Sequence, residues 1–527
     1  MKRKHILWAA FASLLCVACV EDEGSNHMVP INELEVEGIE ENYTKVGYQE
    51  KLEIEVTLKG SLSGADENAF DFQWFLCNRG TDESSHRHQV IATTKDLVFP
   101  LEVPSGYYSL YFRATDKATG MQWEKYTQLQ VTSAFVRGFY LWGDKEDGSC
   151  GMDFISMIEN KDTTVIEDIF TNPTGMKHAK NLVFTGNRSD VLTSLWAFSE
   201  GEFHSVEHQS ALREFGILPD ERIDKIIYPT IEVNNPTYDL VDIYPHAYGK
   251  LNTCTSSNWR VLMTEGDIFC CTNMVGGEGY ANPMNRYSTN SKELYQPAPY
   301  VFHQNAGYLS SAAYYDMTNH CFTVHNAATY ALSHTVKCGD TSGTPFYFDQ
   351  TKYDPVRDLV YGENADANSY ALMKDANGGY FIYKFAVQRY GANGVKKVSA
   401  ATIDKKVATD FDKATHYTFF AKQPVILYAV GTHLYAYNYN LNLLKEVENP
   451  DGGEITYLAM DFASNETPTD FIFATYREAE KGTVYKYTIE DNQNTIEVKP
   501  HDDYETESYP WRTKLKVKKI EYRNSPI

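Results

Sequence analysis

Val425-Ile426-Leu427-Tyr428-Ala429-Val430, then Gly431-Thr432, then Leu434-Tyr435-Ala436-Tyr437-Asn438-Tyr439 reads as two strands folded back on a tight turn. Both arms are rich in β-branched and aromatic residues, and a glycine at the turn supplies the positive φ that a short hairpin needs. Two more stretches repeat the design: Tyr370–Met373, Asn377-Gly378-Gly379, Tyr380–Phe385, and Phe471–Tyr476, Lys481-Gly482, Val484–Ile489. Weaker copies centre on Gly148, Gly201, Gly266 and Asn319, so that seven hairpins follow one another at intervals of 51 to 65 residues. One hairpin per unit with a period a little above 50 is the signature of a β-propeller, and seven hairpins point to seven blades over residues 135–523, with six or eight left open. The region opens on Phe139-Tyr140-Leu141-Trp142 and closes on Leu515-Lys516-Val517-Lys518, both strand-like. A ring must join its ends or leave bare sheet edges, so these two stretches are expected to meet. Helical periodicity is scarce; Ser210–Phe215 is the best short candidate.

Residues 31–133 read as a separate all-β module. Leu52, Ile54, Val56 and Leu58 alternate with polar residues, as do Phe70, Phe72 and Trp74, and then Tyr108, Leu110 and Phe112. About seven strands in about 100 residues, with a tryptophan on a central strand, is the scale of an immunoglobulin-like sandwich. The order Phe72-Gln73-Trp74-Phe75, Ser105-Gly106-Tyr107-Tyr108, Thr115-Asp116 resembles the PKD-like modules of bacterial surface proteins. The fold class is therefore all-β: an N-terminal sandwich followed by a propeller.

The first residues address the chain. Lys2-Arg3-Lys4 precedes a short apolar stretch from Ile6 to Ala18, the layout of an export signal over residues 1–18. It ends in Val17-Ala18-Cys19, which resembles the lipobox of bacterial lipoproteins; the resemblance implies cleavage before Cys19 and its acylation. Val20-Glu21-Asp22-Glu23-Gly24 follows, an acidic run similar to the surface-export signal of Bacteroides-group lipoproteins, within a polar tether over residues 19–30. The expected location is the outer membrane, lipid-anchored and facing outward.

Net charge is −23, which argues against a nucleic-acid partner and against electrostatic docking on anionic lipid. Aromatic residues make up 14% of the chain, including 38 tyrosines, suited to strands and to wet surfaces that grip sugars or peptides. After the export signal and Cys19, seven cysteines remain, with no CxxC pair among them, so neither a zinc site nor a redox motif is expected. Cys77, Cys270 and Cys321 lie in apolar runs and read as buried thiols, while a bridge from Cys254 to Cys270 or Cys271 stays open.

The lipobox, one PKD-like module, then Arg137-Gly138-Phe139-Tyr140-Leu141-Trp142-Gly143 and Met152-Asp153-Phe154-Ile155 form a specific order. It resembles the PKD-like family lipoproteins of the Bacteroides group. The resemblance implies an accessory role beside a SusC/SusD-like pair, a TonB-dependent transporter with its lid lipoprotein, in capturing peptide or glycan nutrient. It supplies no catalytic residues and no cofactor.

The residues themselves show no Gly-x-Ser-x-Gly elbow, phosphate loop or dinucleotide fingerprint. His204-Ser205-Val206-Glu207-His208 fits the His-x-x-Glu-His pattern of zinc peptidases. Its surroundings read as strand, where the two histidines stand about 13 Å apart, too far to share one ion. His86-Arg87-His88 reads as a solvated loop, and the basic run Lys514–Lys519 as a last strand with a solvated face. The expectation is a non-catalytic binding protein; a propeller-borne glycosidase or peptidase is the alternative, to be recognised by carboxylates or a His/Glu cluster converging in the central funnel. The candidate ligand or partner surface comprises Tyr244, Tyr248, Trp259, Arg260, Tyr280, Arg286, Tyr287 and Tyr295, around a Gly/Asn/Pro/Tyr-rich loop over residues 273–300. The competing reading has that loop pack its tyrosines over the propeller; if it is a binding loop, removing residues 276–296 is expected to spare folding.

Overall fold

The computed structural model describes residues 33–61, 66–78, 89–158, 162–172, 175–185, 194–200, 202–207, 216–217, 227–244, 246, 259–272, 280–303, 311–326, 333–340, 345–388, 394–462, 468–501 and 509–524. Among them every extended element is a strand and the only helical turns are short 3-10 segments. The export signal, Cys19, the tether, His86–His88 and Ser210–Phe215 lie outside the described residues. Two compact units form, the first including Lys51–Pro100 and Tyr107–Gln130, the second the strands from Arg137 to Asn524.

The first unit is built on a five-stranded antiparallel sheet, Asn42–Val46, Gln122–Thr132, Gly106–Asp116, Phe70–Asn78 and Gln89–Ala92 in spatial order, with two-stranded pairs Lys51–Ile54/Leu97–Pro100 and Leu34–Glu37/Thr57–Gly60. Alternation in the sequence becomes alternation in burial: Leu52, Ile54 and Val56 are inside, and so are Trp74, Leu110 and Phe112. The Trp74 indole lies tilted against the Phe112 ring, centroids 5.0 Å apart, and donates to the Lys95 carbonyl at 3.2 Å, so its one polar atom is satisfied in the core.

Among the described residues the second unit is a seven-bladed propeller, with seven antiparallel sheets following one another along the chain. Each contains one of the seven expected hairpins, as the central pair in every blade but the third, whose three described strands end on it. The innermost strands are Lys516–Asn524 (blade 1, with Arg137–Asp144 next to it), Ala179–Thr185 (blade 2), Leu240–Tyr244 (blade 3), Phe302–His303 (blade 4), Arg357–Ala365 (blade 5), His416–Phe420 (blade 6) and Glu454–Met460 (blade 7). Neighbouring inner strands touch around the ring, with Tyr244 and His303 joining blades 3 and 4 through rings 5.2 Å apart.

Closure is made by the C-terminal strand. Lys516–Asn524 pairs antiparallel with Arg137–Asp144, from Arg137↔Asn524 to Asp144↔Lys516. Around it pack Phe139, Leu141 and Ile155 of blade 1, Ile472, Ala474 and Val484 of blade 7, and Trp511, Leu515, Val517 and Ile520, all buried. One glycine differs in role from its expected one. The turn of blade 7 falls at residues 478–480, and Lys481 carries the positive φ of 63°. Gly482 instead lets the Leu515 carbonyl approach where a Cβ would stand 2.2 Å away.

A second device recurs on the inner strands of blades 2, 3, 5 and 7. Pairing with the next strand skips one residue in each: Lys180, Val241, Val360 and Thr456. A skipped residue's carbonyl leaves the ladder and must find another donor. Three find one on the preceding blade. Asn181 Nδ2 donates to the Val241 carbonyl at 2.9 Å, Tyr300 Oη to the Val360 carbonyl at 3.2 Å, and a ring nitrogen of His416 bonds the Thr456 carbonyl at 3.1 Å. The bulges thus staple blade 2 to 3, 4 to 5 and 6 to 7. Tyr300→Phe is expected to cost about 1 kcal/mol, the net value of one such bond with the carbonyl left short of a partner; a chemical-denaturation midpoint unchanged from the native chain would remove the staple reading.

Candidate functional site

The bulges also aim side chains. Past each skipped residue the alternation changes phase, and the next residue, Asn181, Asp242, Tyr361 or Tyr457, lines one cavity of about 470 Å³ at the centre of the propeller. The closing strand does the same. Trp142 faces Lys519 and Gly143 faces Val517, so Lys518 is the extra residue, Val517 and Ile520 share the packed side, and Lys519 turns to the cavity. Lys519 is therefore not part of a solvated face, as the basic run suggested; two lysines in succession on an otherwise alternating strand mark the bulge. Its neighbours Lys514 and Lys516 do keep outward ion pairs, with Glu167 at 2.5 Å and Glu454 at 2.8 Å.

Lys519 sits among acids. Burial pulls its pKa down, but Tyr457, Glu521, Asp242 and Glu363 outweigh it, and the net shift is upward, so the side chain stays an ammonium. Among the described residues no hydrogen bond or ion pair engages that ammonium. For Asp242 burial pushes the pKa up, yet His246, Lys519 and the Ile243 N–H hold it below the usual carboxylate range. A ring nitrogen of His246 lies 2.8 Å from Asp242, and the ring stacks on Tyr244 at 4.5 Å. Glu363 behaves oppositely: burial dominates and its pKa is pushed up to about 7, although Thr418, Phe419, Tyr361 and Lys519 all favour the charged form. Its two oxygens accept from Thr418 Oγ1 at 2.7 Å and the Phe419 N–H at 2.6 Å, and Thr418 Oγ1 also accepts the Met460 N–H at 3.1 Å, joining blades 5, 6 and 7.

Aromatic rings complete the wall. Tyr300 and Tyr361 meet edge to face at 5.6 Å, and Phe139 and Tyr522 lie 5.2 Å apart. The Tyr457 hydroxyl donates to the Ile520 carbonyl at 3.3 Å, tying blade 7 to the closing strand. Asn364 is anchored by three bonds: its carbonyl accepts the His303 N–H and the Ser369 hydroxyl, and its amide donates to the Val301 carbonyl. No group of three or more His, Cys, Asp or Glu residues poised for a metal occurs among the described residues.

Of the surface expected from sequence, Tyr244 lies on the cavity wall. Tyr248 lies outside the described residues, as do the Trp259 side chain and residues 273–279. Arg260, Tyr280, Arg286 and Tyr295 are buried, so they form packing and not an open face. Arg286 donates to the carbonyls of Ser333 and Ser291, and the Tyr295 hydroxyl bonds Thr323 and Thr335. Only Tyr287 stands partly exposed, its hydroxyl donating to Asp316. The reason is the Asn285 amide, which donates to the carbonyls of Gly266 and Tyr295 and pulls the described part of the loop inward. Deleting residues 276–296 would therefore remove Met284, Asn285 and Tyr295 from the core and not spare folding.

His204 falls on the strand Glu202–Glu207, opposite Ala197, so the backbone is extended there and not helical; His208 lies outside the described residues, as does Cys254. Burial raises the thiols of Cys77, Cys270, Cys321 and Cys338, which suits inert fillers of the interior. No helix among the described residues is long and apolar enough to cross a membrane.

A model of the PKD-like family matches residues 19–181. No curated protein matches the chain. Among solved structures it is similar to a quinonprotein alcohol dehydrogenase-like protein from Bacteroides thetaiotaomicron, at 12% identity and a TM-score of 0.36, over 86% of this chain and 92% of that one. It is also similar to the Cps50 (Swd1) beta-propeller domain of Myceliophteria thermophila, at 9% identity and a TM-score of 0.37, over 67% of this chain and 96% of that one. A third is the extracellular domain of a one-component system from B. thetaiotaomicron, at 8% identity and a TM-score of 0.34, over 88% of this chain and 66% of that one.

Proposed function

We propose that this chain, with a PKD-like match over residues 19–181 and a seven-bladed propeller formed by the strands from Arg137 to Asn524, is a non-catalytic lipoprotein of the outer cell surface. It serves a SusC/SusD-like TonB-dependent uptake system by holding peptide or glycan nutrient, by docking on the transporter, or both. The observation that carries the binding role is the central cavity, whose volume falls in the range of about 300–1,000 Å³ typical of ligand sites and whose wall combines aromatic rings with a few fixed charges. Cys19 and the acidic run behind it support the location, and the order of lipobox, sandwich and propeller supports the transporter link.

One observation favours a hydrolase instead. Asp242, Glu363 and Glu521 converge on one cavity, and the environments of Asp242 and Glu363 push their pKa values apart, as an acid–base pair requires. Against it, both Glu363 oxygens are already taken by the protein.

The test is a gentle-detergent pull-down of the tagged native chain beside Cys19→Ala, with partners identified by mass spectrometry. A TonB-dependent barrel and its lid should accompany the native chain, and the variant should leave the membrane fraction. A native chain that emerges alone ends the accessory reading, and a Cys19→Ala chain still in membranes ends the lipid anchor.

A further inference from the structure

The cavity holds opposite charges apart. Lys519 has three N–H donors and no direct acceptor among the described residues, while Asp242, Glu363 and Glu521 act on it from around the wall without an ion pair to it. A ligand that fills this space has to offer acceptors to the ammonium and donors to the carboxylates within a small volume. A hydroxyl group does both with one oxygen. A strongly anionic ligand would pair with Lys519 but face three carboxylates, and a cationic one would meet the ammonium.

The backbone argues in the same direction. Peptides bind in sheets through main-chain N–H groups donated to unpaired carbonyls. Of the carbonyls that the bulges release beside this cavity, those of Val241, Val360 and Thr456 are already taken by Asn181, Tyr300 and His416. What the wall mainly offers for recognition is side-chain charge and the faces of Tyr300 and Tyr361, which suit the C–H faces of a sugar ring. We infer that the central cavity receives the end of a neutral, hydroxyl-rich glycan, with Lys519 donating to its hydroxyl oxygens and the Asp242 carboxylate accepting from its hydroxyl groups. The inference rests on the binding role proposed above and narrows its ligand from peptide or glycan to neutral glycan.

Calorimetric titration of the full mature chain in detergent tests it. The probes are neutral malto-, cello-, xylo- and manno-oligosaccharides, anionic oligogalacturonate, cationic chitosan oligosaccharide and a tryptic digest of casein. At least one neutral series should bind. At pH 6, where Glu363 is protonated in both folded chains, Lys519→Met should weaken it tenfold or more while the melting temperature holds, and Lys519→Gln, which keeps a donor, should fall between. Binding of only the charged glycans or the peptides, with Lys519→Met weakening it, overturns the neutral-glycan assignment and leaves the cavity as a binding site. A neutral glycan bound equally well by both variants overturns the assignment and the cavity together. No binding by any probe overturns the inference, while the transporter association still stands or falls with the pull-down.

Discussion

Gly143→Val unfolds the propeller at a markedly lower temperature than any substitution at a hairpin turn. The closing strand runs so near this position that a Cβ on Gly143 would stand 2.3 Å from the Lys516 carbonyl oxygen and 2.9 Å from the Val517 Cα. Those are backbone atoms, and no rotamer change moves them away. The variant must either push Lys516–Asn524 off Arg137–Asp144 or distort both strands where the bulge at Lys518 already bends them. Overpacking alone costs about 1–3 kcal/mol. Here it is coupled to ring closure, so the loss is expected to reach roughly 3 kcal/mol or more, with a fall in melting temperature of about 5 °C or more. An opened ring also bares the edge of Arg137–Asp144, so the variant should aggregate on heating. Gly431→Ala is the control: that glycine has φ +57° with nothing within 4 Å of where the alanine methyl would stand, and only the left-handed backbone penalty of about 1–2 kcal/mol applies. Equal melting temperatures for the two variants would show that the close approach at Gly143 does not hold the ring shut.

The contrast between these glycines explains how far the sequence could be read. A hairpin is local: the strands on either side of Gly431 pair with each other, from Val425↔Asn438 to Val430↔His433, and both arms are visible in fifteen residues. Seven such units therefore announced seven blades. Gly143 and Gly482 serve a contact between segments more than thirty residues to several hundred residues apart, with Lys516 and Leu515, and nothing beside either glycine in the chain records it. Gly482 was accordingly legible only as a turn. The cavity was hidden for the same reason. Asp242, Glu363 and Lys519 come from three different blades, and each faces the centre only because a bulge or strand end sets its phase. Lys518-Lys519 carried a local trace, two charges in succession where alternation calls for one. Composition misled at residues 280–300. Arginines and tyrosines in a Gly/Asn/Pro-rich segment look like a binding surface, but Arg286 and Tyr295 have their polar atoms satisfied inside the protein.

Glu363→Gln should flatten the pH dependence of stability between about pH 4.5 and 7. The sign follows from the direction of the shift. Burial raises the Glu363 pKa from 4.5 to about 7, so the folded chain keeps this carboxyl protonated over a range in which the unfolded chain has released the proton. Below pH 4.5 both states hold it and there is no cost. As pH rises from 4.5 the unfolded state is favoured progressively, and the penalty levels off above 7, once the folded chain also ionises. The limit is about 3 kcal/mol, an order-of-magnitude figure from the two titration points. Glutamine carries no proton to lose. Its carbonyl can take the Phe419 N–H, and its amide can donate to Thr418 Oγ1, so the tie among blades 5, 6 and 7 survives. The variant is therefore expected to match the native chain near pH 4.5 and to melt a few degrees higher at pH 8. Lys519→Met should move the other way, because removing the ammonium raises the Glu363 pKa further and extends the penalty above pH 7. Parallel melting curves for native and Glu363→Gln chains from pH 4.5 to 8 would mean that Glu363 is as well solvated in the cavity as in the unfolded chain, and that the cavity is open to water in a way that also weakens its grip on a ligand.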